Sequence, residues 1–286
     1  MEKQVGIFLT PGEQQADVTK ITTVIKERPD IKMEVKDLSE INSEAAKNGY
    51  KEENNVCIDL NTNTAIKIKF EPILGDDYDE CSKITGNTKS DIKSNNQKLR
   101  AQVKKYKKGQ FQQLDRHWVD DFIKYIPGIE ECSTILKNLC EYPLLPNGTH
   151  IDKSKPIKKM STDNYPQEDL DKFISLLNNH KRQILNYIFN GTNSETQPKY
   201  LFGVEYIGKK RNKIVLMKIE DIIDYLEPLD FTITKGKTVV KLDNIISIQR
   251  KGGDAGRKGS NQLQFKITVS NLLEKVYNLE YNFTDP

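Results

Sequence analysis

An acid, an amide and a lysine fall close together in residues 85–116, TGNTKSDIKSNNQKLRAQVKKYKKGQFQQLDR. Asp91 stands eleven positions before Gln102, and Lys104 stands two after it. Residues two apart on a strand leave the same face, so Gln102 and Lys104 point together. A chain reversal between Asp91 and Gln102 brings the acid to the same pair. Such a constellation can hold a divalent metal against a phosphodiester. Carboxylate and neutral oxygens are hard ligands that suit Mg2+, and a lysine neutralises charge that develops in the transition state. In this chemistry Asp91 is the main ligand, Gln102 and the main-chain carbonyl of Val103 add oxygens, and Lys104 is the catalytic lysine. Lys105, Lys107 and Lys108 follow at once and are placed to grip flanking phosphates, with Gln110 and Gln112 continuing the polar run.

The positioning element is a hairpin. Ser90, Asp91 and Ile92 read as a short strand, Asn95-Asn96-Gln97 as a turn, and residues 99–106 as the return strand. Around it, residues 55–72 (NVCIDLNTNTAIKIKFEP) read as a second hairpin. There Val56, Ile58 and Leu60 alternate, as do Ile66, Ile68 and Phe70, about a turn at Asn61-Thr62-Asn63. Trp118, Phe122, Tyr125, Ile126 and Ile129 recur at helical spacing. They predict a helix from Asp115 to Tyr142, broken at Pro127-Gly128, with the aromatic stripe in the core. The stripe of Leu170, Phe173, Leu177, Ile184, Leu185 and Ile188 predicts one helix over residues 167–189, ended by Asn190-Gly191. Residues 15–26 read as a short helix and residues 30–36 as an exposed strand. Residues 200–206, 214–219, 231–233 and 239–242 have strand character, with a short helix over 219–226.

A second functional stretch lies near the end. Two strands, residues 245–249 and 263–269, flank a loop rich in glycine, lysine and arginine, in the run NIISIQRKGGDAGRKGSNQLQFKITV. It lacks the GK[ST] ending of a P-loop, and no helix follows it. Its composition suits a loop laid in a DNA groove. Arginine or lysine reads guanine, asparagine or glutamine reads adenine, and glycines let the backbone approach. The candidate DNA contacts here are Arg250, Lys251, Arg257, Lys258, Ser260, Asn261, Gln262, Gln264 and Lys266.

Bulk properties set limits. The chain has 286 residues, 30% of them charged and 36% hydrophobic, with a net charge of +3. That is a soluble globular composition, long enough to bury a substantial core. No apolar run reaches the roughly 20 residues that cross a bilayer, and no signal peptide opens the chain, so a cytoplasmic protein is expected. Cys57, Cys81, Cys132 and Cys140 form no zinc-binding spacing and read as reduced thiols. The acidic run at residues 75–80 reads as a solvated loop, and His117, His150 and His180 have no partner at ligand spacing.

The run Thr88-Lys89-Ser90-Asp91 followed by Gln102-Val103-Lys104 resembles the active-site hairpin of type II restriction endonucleases of the PD-(D/E)XK nuclease superfamily. It is most similar to a CCGG-cutting member whose lysine is also preceded by an amide instead of an acid. The segment SIQRKGGDAGRKGSNQLQFK is similar to the basic, Gly/Ser-rich stretch that closes such enzymes. Lys89-Ser90 departs from the proline in the superfamily's name, and Gln102 from its acid. The resemblance implies an α/β (α+β) fold with a central mixed sheet flanked by helices. It also implies Mg2+-dependent hydrolysis of double-stranded DNA at a short, GC-containing palindrome, leaving 5′-phosphate ends. Lys89 and Ser90 join the DNA-binding set, and a homodimer and a cognate DNA methyltransferase are the implied partners. A single domain over residues 1–286 is expected. Within it, residues 1–80 form an unplaced N-terminal part, 81–142 the catalytic hairpin and a helix, 143–199 a helical insertion, and 200–286 a strand-rich recognition part. A non-catalytic DNA-binding protein, or a repair or junction nuclease of the same superfamily, stands as the alternative.

Overall fold

The structure, a computed structural model, describes residues 44–75, 78–84, 88–139, 162–233, 236, 238–250 and 262–283. The helix and strand expected over residues 15–26 and 30–36 lie outside the described residues. Packing divides the chain after Lys51. In the first unit the description covers only the opening turns of a helix, and the architecture below belongs to the second.

One sheet orders its strands β1 (Cys81–Lys83), β2 (Ile92–Ser94), β3 (Arg100–Tyr106), β5 (Tyr200–Ile207), β6 (Lys210–Lys218) and β11 (Leu279–Asn282). The other orders β4 (Gln112–Trp118), β10 (Gln262–Ile267), β9 (Ile246–Arg250), β8 (Val240–Leu242) and β7 (Phe231–Ile233). Neighbours are antiparallel except β3 and β5. A parallel pair needs a long crossover. Here the crossover contains β4 and the helices α3 (Val119–Tyr125), α4 (Ser133–Leu139), α5 (Gln167–Asn179) and α6 (Lys181–Asn190). The expected mixed central sheet flanked by helices is present. No helix among the described residues is long and apolar enough to cross a membrane.

Alternation along the strands of the first sheet divides its side chains between two cores. Val103, Phe202, Val204, Ile214 and Leu216 pack against α1 (Glu44–Thr62) and α2 (Thr64–Leu74). Tyr106, Leu201, Val215 and Met217 face the second sheet and α3–α6. Strand β5 is thinned at Gly203, where a Cβ would stand 2.8 Å from Val215 Cγ2 and 2.9 Å from Val269 Cγ1. Gly203 pairs with Lys104, so this close packing lies directly beside the candidate catalytic lysine.

Three local expectations are corrected. Residues 55–72 are helical, not a hairpin. Val56 and Leu60 are buried four residues apart, as are Ile66 and Phe70, while the intervening Ile58 and Ile68 are 50% and 66% exposed. A period-two pattern broken at its middle member is a helical face. Asn63, expected in the turn, is instead the N-cap of α2, its side chain accepting from Ile66 N–H at 3.2 Å. Residues 115–118 belong to β4, because β10 pairs with them, and Trp118 is 51% exposed instead of in the core. Helix begins only at Val119, after which Phe122, Ile126 and Ile129 are buried as the spacing predicts. The helix expected over residues 167–189 is broken at His180 into α5 and α6.

Candidate active site

The loop before β2 is pinned by its own hydroxyls and by β3. Thr88 Oγ1 donates to Ser90 O at 2.8 Å, and the buried Ser90 donates from Oγ to Thr196 O at 2.7 Å. The chain reverses at Gln97, whose φ is +63°. Beyond it, Asp91 N–H donates to Ala101 O at 2.8 Å, so the acid lies directly against the return strand. Asp91 Oδ2 accepts from Val103 N–H at 2.7 Å, a charge-assisted bond that fixes the carboxylate. Lys104 Nζ lies 3.8 Å from the same oxygen, and its side chain is 17% exposed. The N–H and C=O of one strand residue leave along the same edge, so the Val103 carbonyl opens on the edge that meets Asp91.

Gln102 is 1% exposed. Its Nε2 donates to Phe189 O at 3.0 Å, at the end of α6, and its Oε1 is buried without a hydrogen-bond partner. An orphaned buried acceptor is costly by about 1–3 kcal/mol and marks a place where a cation or its water would be welcome. Among the described residues no group of three or more His, Cys, Asp or Glu is placed to hold a metal ion. The oxygens on offer are mixed instead: the Asp91 carboxylate, the Gln102 amide and the Val103 carbonyl.

Helix α1 adds a group that the sequence reading missed. Its register is held by two side chains. Asn61 pairs both ways with the main chain of Cys81, at 2.8 and 2.9 Å, and the buried Glu52 meets Arg211 Nε at 2.9 Å while accepting from Tyr206 OH. These anchors turn Glu53 toward Lys83, 3.3 Å away. Burial pushes the Glu53 carboxyl above its ordinary range, and the negative charge of Asp91 adds to that, against the opposing pull of Lys83 and Lys104. Glu53 therefore shares its field with Asp91 and Lys104. A helix period over residues 52–60 was the signal that could have found it.

Lys89 pairs with Asp115 of β4. His117 Nε2 donates to the same Asp115 oxygen at 2.6 Å, and Arg116 N–H donates to the other at 2.8 Å. Burial pushes the Asp115 carboxyl up, but the His117 hydrogen bond and the Lys89 charge outweigh it and hold it below the usual carboxylate range. Lys89 is held below the usual lysine range by burial, which outweighs Asp115.

The remaining predicted contacts separate by face. Lys105 stands over the Tyr206 ring at 3.7 Å, on the side of β3 opposite Lys104. Lys107, Lys108 and Gln110 are exposed, and Gln112 donates to Gln110 O at 2.7 Å. On β10, Gln262, Gln264 and Lys266 alternate with the buried Leu263, Phe265 and Ile267. They share their outer face with Arg116 and Trp118 of β4. Arg250 ends β9, while Lys251, Arg257, Lys258, Ser260 and Asn261 lie outside the described residues. In the chain those residues fall between β9 and β10.

Among solved structures, restriction endonuclease MspI in complex with its cognate DNA is similar at 14% identity and a TM-score of 0.41. That match covers 72% of this chain and 80% of that one. No curated protein matches. The model of the R.HinP1I restriction endonuclease family matches residues 77–273, which takes in Asp91, Gln102, Lys104 and β10. With well over half of its length matched, the chain belongs to the R.HinP1I restriction endonuclease family and is a type II site-specific deoxyribonuclease.

Proposed function

We propose that the protein is a Mg2+-dependent enzyme that hydrolyses both strands of duplex DNA at a short, GC-containing palindrome and leaves 5′-phosphate ends. The observation that carries this reading is the Asp91 carboxylate locked by Val103 N–H beside Lys104, with the orphaned Gln102 Oε1 on the same strand. Asp91, Gln102 and the Val103 carbonyl would hold the ion, with Glu53 near enough in charge to assist. When bound, Mg2+ supplies polarisation of the phosphoryl oxygen and a more acidic water. Asp91 would be the anionic member of this ligand set, and the Val103 amide keeps that carboxylate from rotating. Lys104 places an ammonium where negative charge grows and aligns the attacking water. Lys107, Lys108, Gln110 and Gln112 support the strand near the cut, while Lys89, Ser90 and Lys105, held by Asp115, Thr196 O and the Tyr206 ring, steady the hairpin itself. Arg250, Lys251, Arg257, Lys258, Ser260, Asn261, Gln262, Gln264 and Lys266 choose the target. A palindrome matches a homodimer with two-fold symmetry. A cytoplasmic enzyme of this kind requires a cognate DNA methyltransferase to shield the host's own sites.

The test is digestion of unmethylated plasmid with Mg2+, and with a chelator in its place. Discrete fragments with Mg2+ alone, lost in Lys104→Ala, support the reading. A gel shift without nicking would favour a binding protein, and preference for branched over linear duplex would favour a junction nuclease.

A further inference from the structure

Asp115 joins two parts of the molecule that the proposed chemistry keeps separate. On one side it holds Lys89, two residues before Asp91, and the stem of Lys89 lies against Gly191 at the end of α6. On the other it holds His117, whose ring lies 4.2 Å from Tyr187 of α6. The same helix reaches Gln102 through the Phe189 carbonyl. Both candidate metal-binding side chains, Asp91 and Gln102, are thus linked to one carboxylate by short routes. Asp115 itself sits on β4, opposite Phe265 of β10, and His117 sits opposite Leu263. Strand β10 carries the candidate DNA contacts Gln262, Gln264 and Lys266 on its outer face.

We propose that Asp115 is a positioning residue that couples target recognition to cutting, setting the Lys89–Asp91 segment and the Gln102 anchor from the β4–β10 strand pair, whose outer face carries Gln262, Gln264 and Lys266. This rests on the function proposed above. The ion pair is mostly buried, its side chains 13% and 17% exposed, unlike a solvated surface bridge, so its loss leaves the Lys89 ammonium without its direct partner. Groups that orient metal ligands from behind commonly change activity by about 10–100-fold when removed. A merely structural pair would slow the cutting of every sequence alike. A coupling group acts chiefly on the correct target, because only that target engages the contacts on β10 fully.

The experiment measures single-turnover cutting of two duplexes, the target found by sequencing the ends of wild-type digests and a copy with one base pair changed. In Asp115→Asn the target rate is expected to fall about 10–100-fold, the changed duplex by less than about threefold, and the discrimination ratio to collapse accordingly. Target binding without metal stays within about threefold of wild type, and Asp115→Glu recovers part of the ratio. If Asp115→Asn does not fold, Lys89→Met, which removes the charge that needs a counterion, gives the same collapse. Equal slowing on both duplexes, or no slowing, overturns the coupling alone. A wild-type protein that cuts neither duplex overturns the proposed function and this coupling with it.

Discussion

Replacing Gln102 by glutamate is expected to unfold the metal-free protein more easily. In the wild type Nε2 donates to Phe189 O at 3.0 Å, and the side chain is 1% exposed. An ionised carboxylate in its place has no N–H to donate, and sets an oxygen against the Phe189 carbonyl oxygen with no cation in the ligand set. A buried, unpaired charge of this kind costs about 3–5 kcal/mol. For a domain of this size each kcal/mol moves Tm by about 2–4 °C, so Tm falls by roughly 6–20 °C at pH 8. The sign with pH follows from linkage. Burial raises the folded-state pKa of the new carboxyl above its unfolded value of about 4.3, so the folded state binds the extra proton. The deficit is small below that unfolded value and grows as pH rises through the folded pKa. Thermal unfolding followed by circular dichroism in chelator, at pH 5 and pH 8, measures both effects. Added Mg2+ should restore part of the loss by binding the folded state. A variant as stable as wild type at pH 8 in chelator would refute the Phe189 contact and the dry setting of Gln102.

Other consequences are equally direct. Glu53→Gln, at a carboxyl already pushed up by burial and Asp91, should cut at least about tenfold more slowly at low Mg2+ and recover at high Mg2+, read from rates against metal concentration. Gly203→Val places methyl groups into Val215 and Val269 and should cost about 1–3 kcal/mol in urea unfolding; an unchanged midpoint would contradict that packing. Burial pushes the Cys132 thiol up to about 12, which leaves about one thiolate in ten thousand at pH 8. Mass spectrometry after iodoacetamide at pH 8 should therefore find Cys132 labelled in urea and unlabelled in the native protein.

The candidate catalytic hairpin was legible because its information is local. An Asn-rich turn between short strands, and an i, i+2 pair on the return strand, require no distant partner to be read. Strands β9 and β10 were legible for the same reason. Residues 55–72 were misread because Val56-x-Ile58-x-Leu60 satisfies alternation and a helical i, i+4 pair at once. Only burial of the outer members and exposure of Ile58 separates the two. That misreading hid Glu53, which faces the site only from a helix. Asp115 and His117 were hidden by the opposite error, since helical spacing from Trp118 onward was extended back into a strand whose pairing with β10 spans about 150 residues of chain.

The central claim is that Asp91 and Lys104 cut duplex DNA at one sequence. Sequencing the ends of plasmid treated with purified protein and Mg2+ tests it most directly. The expected result is 5′-phosphate ends at a single short palindrome, absent with chelator and absent in Lys104→Ala. Ends scattered without common sequence, or cutting by Lys104→Ala at the wild-type rate, would contradict it.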